Sequence, residues 1–172
     1  MEISEERFAA LFSTMAEGVV FRDADGRIAA FNGSAERILG VPADRMVGTT
    51  SLSIGLRTIH EDGSPFPGEM HPGMVVLRTG QSQSGVIMGI HKQDGSLTWV
   101  SIESHPILRE GKTQGVVTII TDITQQKADE HALRSSEERW KLAVEGSRDG
   151  IWDNDLVTGR NFPPLSKQFL SD

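Results

Sequence analysis

The chain contains no cysteine. Disulfides, thiolate metal sites and thiol nucleophiles are therefore excluded. Positive charge is sparse too: 17 Lys and Arg face 24 Asp and Glu, for a formal net charge of -7, and no basic run of five occurs. A phosphate backbone needs a basic face, so nucleic acid is not expected as a partner. Long apolar runs are also missing. The strongest, Gly115 to Ile120, is far too short to span a bilayer. The acidic start, Met1 to Glu6, leads into an amphipathic stretch, which is wrong for a secretory signal. These absences predict a cytoplasmic setting with no membrane contact within these residues. Catalytic motifs are lacking as well: there is no Gly-x-Ser-x-Gly elbow, no Gly-x-Gly-x-x-Gly, no phosphate loop and no paired metal carboxylates. No enzyme is expected within this chain.

What is present begins with a repeat. Ser4-Glu5-Glu6-Arg7-Phe8 returns as Ser136-Glu137-Glu138-Arg139-Trp140. At a matching distance from each aromatic, Gly18-Val19-Val20 is answered by Gly150-Ile151-Trp152, and Asp23 by Asp155. The offset, about 132 residues, suits one module plus a connector. By Asp172 the second copy has passed little more than its first strand. The organisation expected is an N-terminal helix over 1–15, one module over 16–124, a helical connector over 125–145, and the incomplete start of a second module over 146–172.

Periodicity assigns the elements. Phe8, Leu11, Phe12 and Met15 fall at helical spacing. Short strands over 19–22 and 27–31 flank Asp23-Ala24-Asp25-Gly26, a hairpin signal. Asn32 is an N-cap for a helix over 34–39 that Gly40 ends and Pro42 cannot continue. Residues 41–68 are rich in turn formers. Pro72 opens a helix stopped by Gly80. Strands over 85–92, 96–108 and 115–121 follow, joined through Gln93-Asp94-Gly95 and Arg109-Glu110-Gly111-Lys112.

In this order, Asp23-Ala24-Asp25-Gly26-Arg27-Ile28, then Asn32 with Ala35-Glu36-Arg37-Ile38-Leu39-Gly40, resembles a PAS domain, the sensory box of bacterial signalling proteins. Asp94-Gly95-Ser96-Leu97-Thr98-Trp99-Val100, Pro106 and Asp122-Ile123-Thr124 extend the resemblance across nearly all of 15–124. It implies an α+β fold: a five-stranded antiparallel sheet with helices on one face, a ligand cavity between them, and flanking N-terminal and C-terminal connector helices. The loop Glu61 to Pro67 with Glu69-Met70-His71-Pro72 resembles a branch found before diguanylate cyclase, phosphodiesterase or histidine kinase modules, which places the chain in two-component or cyclic-di-GMP signalling.

Strands alternate faces. One face carries Val86, Met88, Ile90, Val100, Ile102, Ser104, Val116, Thr118 and Ile120, and by the resemblance it lines the cavity. Val20 and Arg22 share a face of the first strand. If Val20 points inward, Arg22 sits at the cavity rim, where a guanidinium could clamp a carboxylate or phosphate; otherwise it snorkels to water. The candidate ligand-binding residues are thus Val20, Arg22, Met88, Ile90, Val100, Ile102, Ser104, Thr118 and Ile120, with a plain packed core as the alternative. The opposite face, with Ile87, Trp99, Glu103, Val117 and Ile119, is apolar enough to need a cover, either the N-terminal helix or a second subunit.

No metal site is expected, because the five histidines have no ligand spacing. His71 precedes the helix that carries the haem ligand in haem-binding PAS relatives but stands at its edge. Haem is not expected, nor is flavin, whose photoadduct needs a cysteine and whose ring needs polar neighbours. The cofactor is left open. In the connector, Leu133 and Trp140 are spaced as a short coiled-coil seam. The expectation is a sensory module that binds a small ligand or partner and relays its state through Asp122, Ile123 and Thr124 into the connector, towards an effector domain outside this chain. The alternative is a ligand-free interaction domain that forms a homodimer through the N-terminal helix, the outer sheet face or the connector.

Overall fold

The computed structural model describes residues 4–147. Helix α1 spans Glu5–Thr14 and is capped by Ser4, whose hydroxyl accepts from Arg7 N. Strands β1 (Gly18–Asp23) and β2 (Ile28–Phe31) form the first hairpin. Helix α2 (Gly33–Leu39) starts at the N-cap Asn32, whose side chain accepts from Ala35 N. It ends at Gly40, where φ of 67° puts the chain in the left-handed region that glycine enters without steric cost. A short helix α3 (Ala43–Met46), strand β3 (Arg57–Ile59) and a single 3-10 turn (Gly68–Met70) lead to helix α4 (Pro72–Thr79). Strands β4 (Gln83–His91), β5 (Leu97–Arg109) and β6 (Lys112–Asp122) and the long helix α5 (Thr124–Gly146) complete the order.

The strands form one antiparallel sheet in the order β2-β1-β6-β5-β4-β3. It has six strands, where the sequence predicts five. The addition is β3, three residues from the turn-rich stretch that pair with the edge of β4 through Thr58 and Ile90. So short a strand carries too little alternation to be read from its own residues. Glu110 and Gly111, at φ of 51° and 75°, make the two-residue turn between β5 and β6.

Alternation sorts the faces. In β5, Thr98, Val100, Ile102 and Ser104 are buried, and in β6 Val116, Thr118 and Ile120 are. Trp99 and Ile119 belong to the other face and keep part of their surface exposed. Val100, Ile102 and Ile120 of this row pack with Val20, Ile28, Ile38, Leu39, Met46, Met88 and Ile90 in one core. Each such aliphatic side chain contributes about 1.5–3 kcal/mol relative to exposure. Helix α4 lies against β4, β5 and β6, and α2 against β1 and β6, so both helices close the core from that face.

Of the two covers expected for the outer face, helix α1 supplies only a part. Phe12 approaches Phe21 of β1, with ring centroids 5.8 Å apart, but Phe8 and Leu11 remain more than half exposed. Helix α1 buries no residue. The chain divides into two units between Gln125 and Gln126. Gly146 still belongs to α5, and the proposed second module, from residue 148 onward, lies outside the described residues.

Candidate functional site

A cavity of about 40 Å³ opens between the inner sheet face and the helices. Of the side chains singled out in the sequence, Arg22, Met88, Ile102, Thr118 and Ile120 line it. Val20, Ile90, Val100 and Ser104 are buried in the adjoining core without lining it. The remaining wall comes from residues that the sequence did not assign to the cavity: Leu39 from α2, Ser51, Ile54 and Leu56 from the following loop, and His71, Pro72 and Gly73 at the start of α4.

Arg22 is the unusual lining residue. Its Cα is paired with Ile28 on one side and Val116 on the other. Its Nη1 donates to the Gly26 carbonyl at 3.1 Å, which bends the side chain back along its own hairpin. The residue as a whole keeps some exposure, but Nε is sealed from solvent and has no hydrogen-bond partner among the described residues. Burial pulls the guanidinium pKa down to about 10, so it stays charged at neutral pH.

His71 is buried beside it. Thr58 Oγ1 donates to the Phe66 carbonyl at 2.7 Å and lies 3.0 Å from His71 Nε2. A hydroxyl has one proton and a carbonyl can only accept, so Nε2 must be the donor and Nδ1 the unprotonated nitrogen. Burial first, and the nearby Arg22 charge second, push the His71 pKa down to about 4, against weaker upward pulls from the Phe66 backbone and Glu69. The imidazole is neutral at pH 7. Its ring also meets Phe66 edge-on, at a centroid distance of 5.6 Å.

The third polar feature is a hydroxyl pair. Ser104 and Thr118 are cross-strand neighbours, and their oxygens lie 2.9 Å apart in the buried layer. The floor around them is aliphatic, from Met88, Ile102 and Ile120. The cavity is thus an apolar pocket with a few polar groups gathered at one side, the usual composition of a small-molecule site. Among the described residues, no group of His, Cys, Asp or Glu could hold a metal ion.

Strand β6 runs from this pocket directly to the chain exit. Beyond Ile120, Asp122 accepts from Thr124 N at 2.9 Å and from Thr124 Oγ1 at 2.6 Å. Ile123 N donates to the Trp99 carbonyl at 2.8 Å. Asp122 therefore satisfies the amide of the first residue of α5, one of the donors a helix start leaves unpaired, and among the described residues it makes no ion pair with a basic group. Further along α5, Leu133, Trp140 and Leu142 are each more than 60 % exposed. No helix among the described residues is long and apolar enough to cross a membrane.

Solved structures share this architecture. The PAS domain of a protein from Colwellia psychrerythraea aligns with a TM-score of 0.52 at 19% identity, covering 70% of this chain and 97% of that one. The PAS domain of an HTR-like protein from Haloarcula marismortui aligns with a TM-score of 0.52 at 21% identity, over 69% of this chain and 90% of that one. The VqmA dimer of Vibrio cholerae matches with a TM-score of 0.55 at 18% identity, over 73% of this chain and 53% of that one. At these identities the likeness shows the fold. A comparison with curated proteins finds no match. The family evidence comes from the sequence itself: the family described as "PAS fold" matches residues 12–128, well over half of the chain. The chain belongs to the PAS family.

Proposed function

We propose that this chain is a sensory module that binds a small ligand in the cavity and relays its occupancy through Asp122, Ile123 and Thr124 into α5, towards an effector domain of the two-component or cyclic-di-GMP kind. One observation carries the reading. Thr118 and Ile120 line the cavity on the same strand whose end, Asp122, holds the first turn of α5. Ile120 in the pocket is therefore two residues from Asp122 and four from the start of α5. The module comprises 16–124, with 1–15 and 125–145 as flanking helices and 146–172 as the start of a second copy. Neither haem nor flavin is proposed: His71 Nε2, one possible ligand atom for iron, already donates to Thr58, and the pocket is aliphatic where an isoalloxazine ring needs polar groups.

The test is hydrogen exchange of the first turns of α5, measured with and without each member of a small-metabolite library, alongside native mass spectrometry of freshly purified protein. A ligand that binds and changes exchange at residues 122–130 supports the reading. A library in which binders leave that exchange untouched contradicts the relay.

A second reading, a homodimer whose assembly is its function, draws on the exposure of Phe8 at 53% and Trp140 at 71%. Apolar surface of this kind on two helices suits a partner copy. Light scattering across a concentration series, repeated with Trp140→Glu and Phe8→Glu, separates a ligand-independent dimer from a monomeric sensor. Both readings place the protein in the cytoplasm, with no nucleic acid as partner.

A further inference from the structure

Several hydrogen-bond donors gather at one side of the cavity and find no acceptor among the described residues. Nη1 of Arg22, the terminal nitrogen on the Cδ side, is taken by the Gly26 carbonyl. The opposite edge of the guanidinium, formed by Nε and Nη2, is unused, and Nε is fully buried. Ser104 and Thr118 bring two hydroxyl protons to one shared hydrogen bond, so one proton is left over.

Two of these polar groups flank one lining residue. A Cβ built on Gly73 would lie 3.2 Å from Arg22 Nε and 3.2 Å from Thr118 Oγ1, so both atoms border the start of α4 at the cavity wall. Glycine lets them pack this closely, and any side chain here would press on both.

Charge and shape narrow the ligand. The only charged side chain in the lining is Arg22, since the neighbouring His71 is neutral. One buried positive charge balances one negative charge, whereas a dianion would bring an uncompensated charge into an apolar pocket. The free guanidinium edge presents two parallel N–H groups, the geometry a planar carboxylate accepts side-on. The space, about 40 Å³, compares with the roughly 10–15 Å³ that one water needs by the same measure. That limits the ligand to a few heavy atoms.

We propose that the cavity binds a short-chain monocarboxylate, its carboxylate held by Nε and Nη2 of Arg22 and by the Thr118 hydroxyl, and its tail against Met88, Ile102 and Ile120. This names the ligand class of the sensing site and rests on that reading only for the consequence of binding.

The experiment uses the full 172-residue chain and titrates it with sodium propionate, propionamide and sodium phosphate at fixed ionic strength, followed by calorimetry and by amide NMR. Propionate is expected to bind saturably and to shift the amides of Arg22, Gly73 and Thr118. Propionamide, neutral and of the same shape, is expected to bind at least 10-fold more weakly, and Arg22→Gln to lose about 10- to 100-fold, the equivalent of one or two charge-assisted hydrogen bonds. Gly73→Ala retains the Arg22 charge but presses a methyl group on both Arg22 Nε and Thr118 Oγ1, and should weaken propionate comparably; it carries the test if Arg22→Gln does not give a folded spectrum. Equal binding of propionamide, undiminished binding by either folded variant, tighter binding of phosphate, or no saturable propionate binding overturns the proposal. Propionate binding that leaves α5 exchange unchanged keeps the monocarboxylate site and removes the relay. A neutral metabolite that alters α5 while propionate does not bind does the reverse.

Discussion

Trp99, in the middle of the sheet, and Thr124, the first residue of α5, are joined by the hydroxyl of one and the backbone of the other. Trp99 N donates to Thr124 Oγ1 at 3.0 Å, and the same hydroxyl donates to Asp122 at 2.6 Å. The neighbouring Ile123 N closes the contact on the Trp99 carbonyl. A single threonine thus links the last two strands to the helix start, and its orientation depends on one carboxylate.

Asp122→Ala removes that carboxylate and leaves Thr124 N and Oγ1 without their acceptor. By comparison with helix-capping residues the loss of stability is about 0.5–2 kcal/mol. Amides of the first turn of α5 should exchange faster, while affinity for a cavity ligand stays within error of wild type. Unchanged exchange in this turn would remove Asp122 from the relay and leave Ile123 or the outer sheet face to carry it.

Asn32 makes four hydrogen bonds from a buried side chain. Oδ1 accepts from Val19 N and Ala35 N, and Nδ2 donates to the Phe12 and Glu17 carbonyls. Asn32→Ala leaves the buried Val19 amide unpaired and uncaps α2, at a cost of about 2–4 kcal/mol from the two effects together. Asn32→Asp should not restore stability, because a carboxylate would face two carbonyl oxygens. Urea unfolding of the three proteins decides this.

Stability should fall with acid through His71. Its folded pKa, about 4, lies below the ordinary histidine value of 6.5, so the unfolded chain binds the proton more readily. The contribution is fully present above pH 6.5 and is lost as pH drops towards 4, to the order of 3 kcal/mol. The groups that set it are Arg22, which with burial disfavours the charged ring, and Glu69, which favours it. His71→Gln keeps a donor for Thr58 without the titration. The difference in unfolding free energy between wild type and this variant, measured at pH 7 and pH 4.5, should shrink in acid; a constant difference refutes the assignment.

Gly115→Ala should disrupt the pairing of β1 with β6. The added Cβ would fall on the backbone carbonyl of Arg22, which cannot swing away as a side chain can. A loss of about 1–3 kcal/mol is expected, as for other overpacked interior sites. Val86→Ala, which removes two methyl groups from β4, serves as the comparison: it should leave the amide signals of β1 unmoved, whereas Gly115→Ala should shift them.

The features legible in the sequence are those set by near neighbours. Alternation along β5 and β6 separates Val100 and Ile102 from Trp99, because successive side chains of a strand point to opposite faces. Asn32 and Gly40 bound α2 because a cap and a left-handed residue act within one turn. The same alternation puts Arg22 on the face of Val20, but leaves open whether its guanidinium enters the cavity or reaches water; the fold puts it in the lining.

Tertiary structure alone decided the rest. The strand at Arg57–Ile59 exists because Thr58 meets Ile90 across a long stretch of chain. The proton on His71 is assigned by a hydroxyl and a carbonyl from two other segments. The free edge of Arg22 follows from the Gly26 carbonyl taking Nη1 while Gly73, which has no side chain, packs beside Nε without offering it an acceptor. Periodicity records which face a residue occupies; which donor is left without an acceptor depends on groups distant in sequence, brought together only by the packed fold.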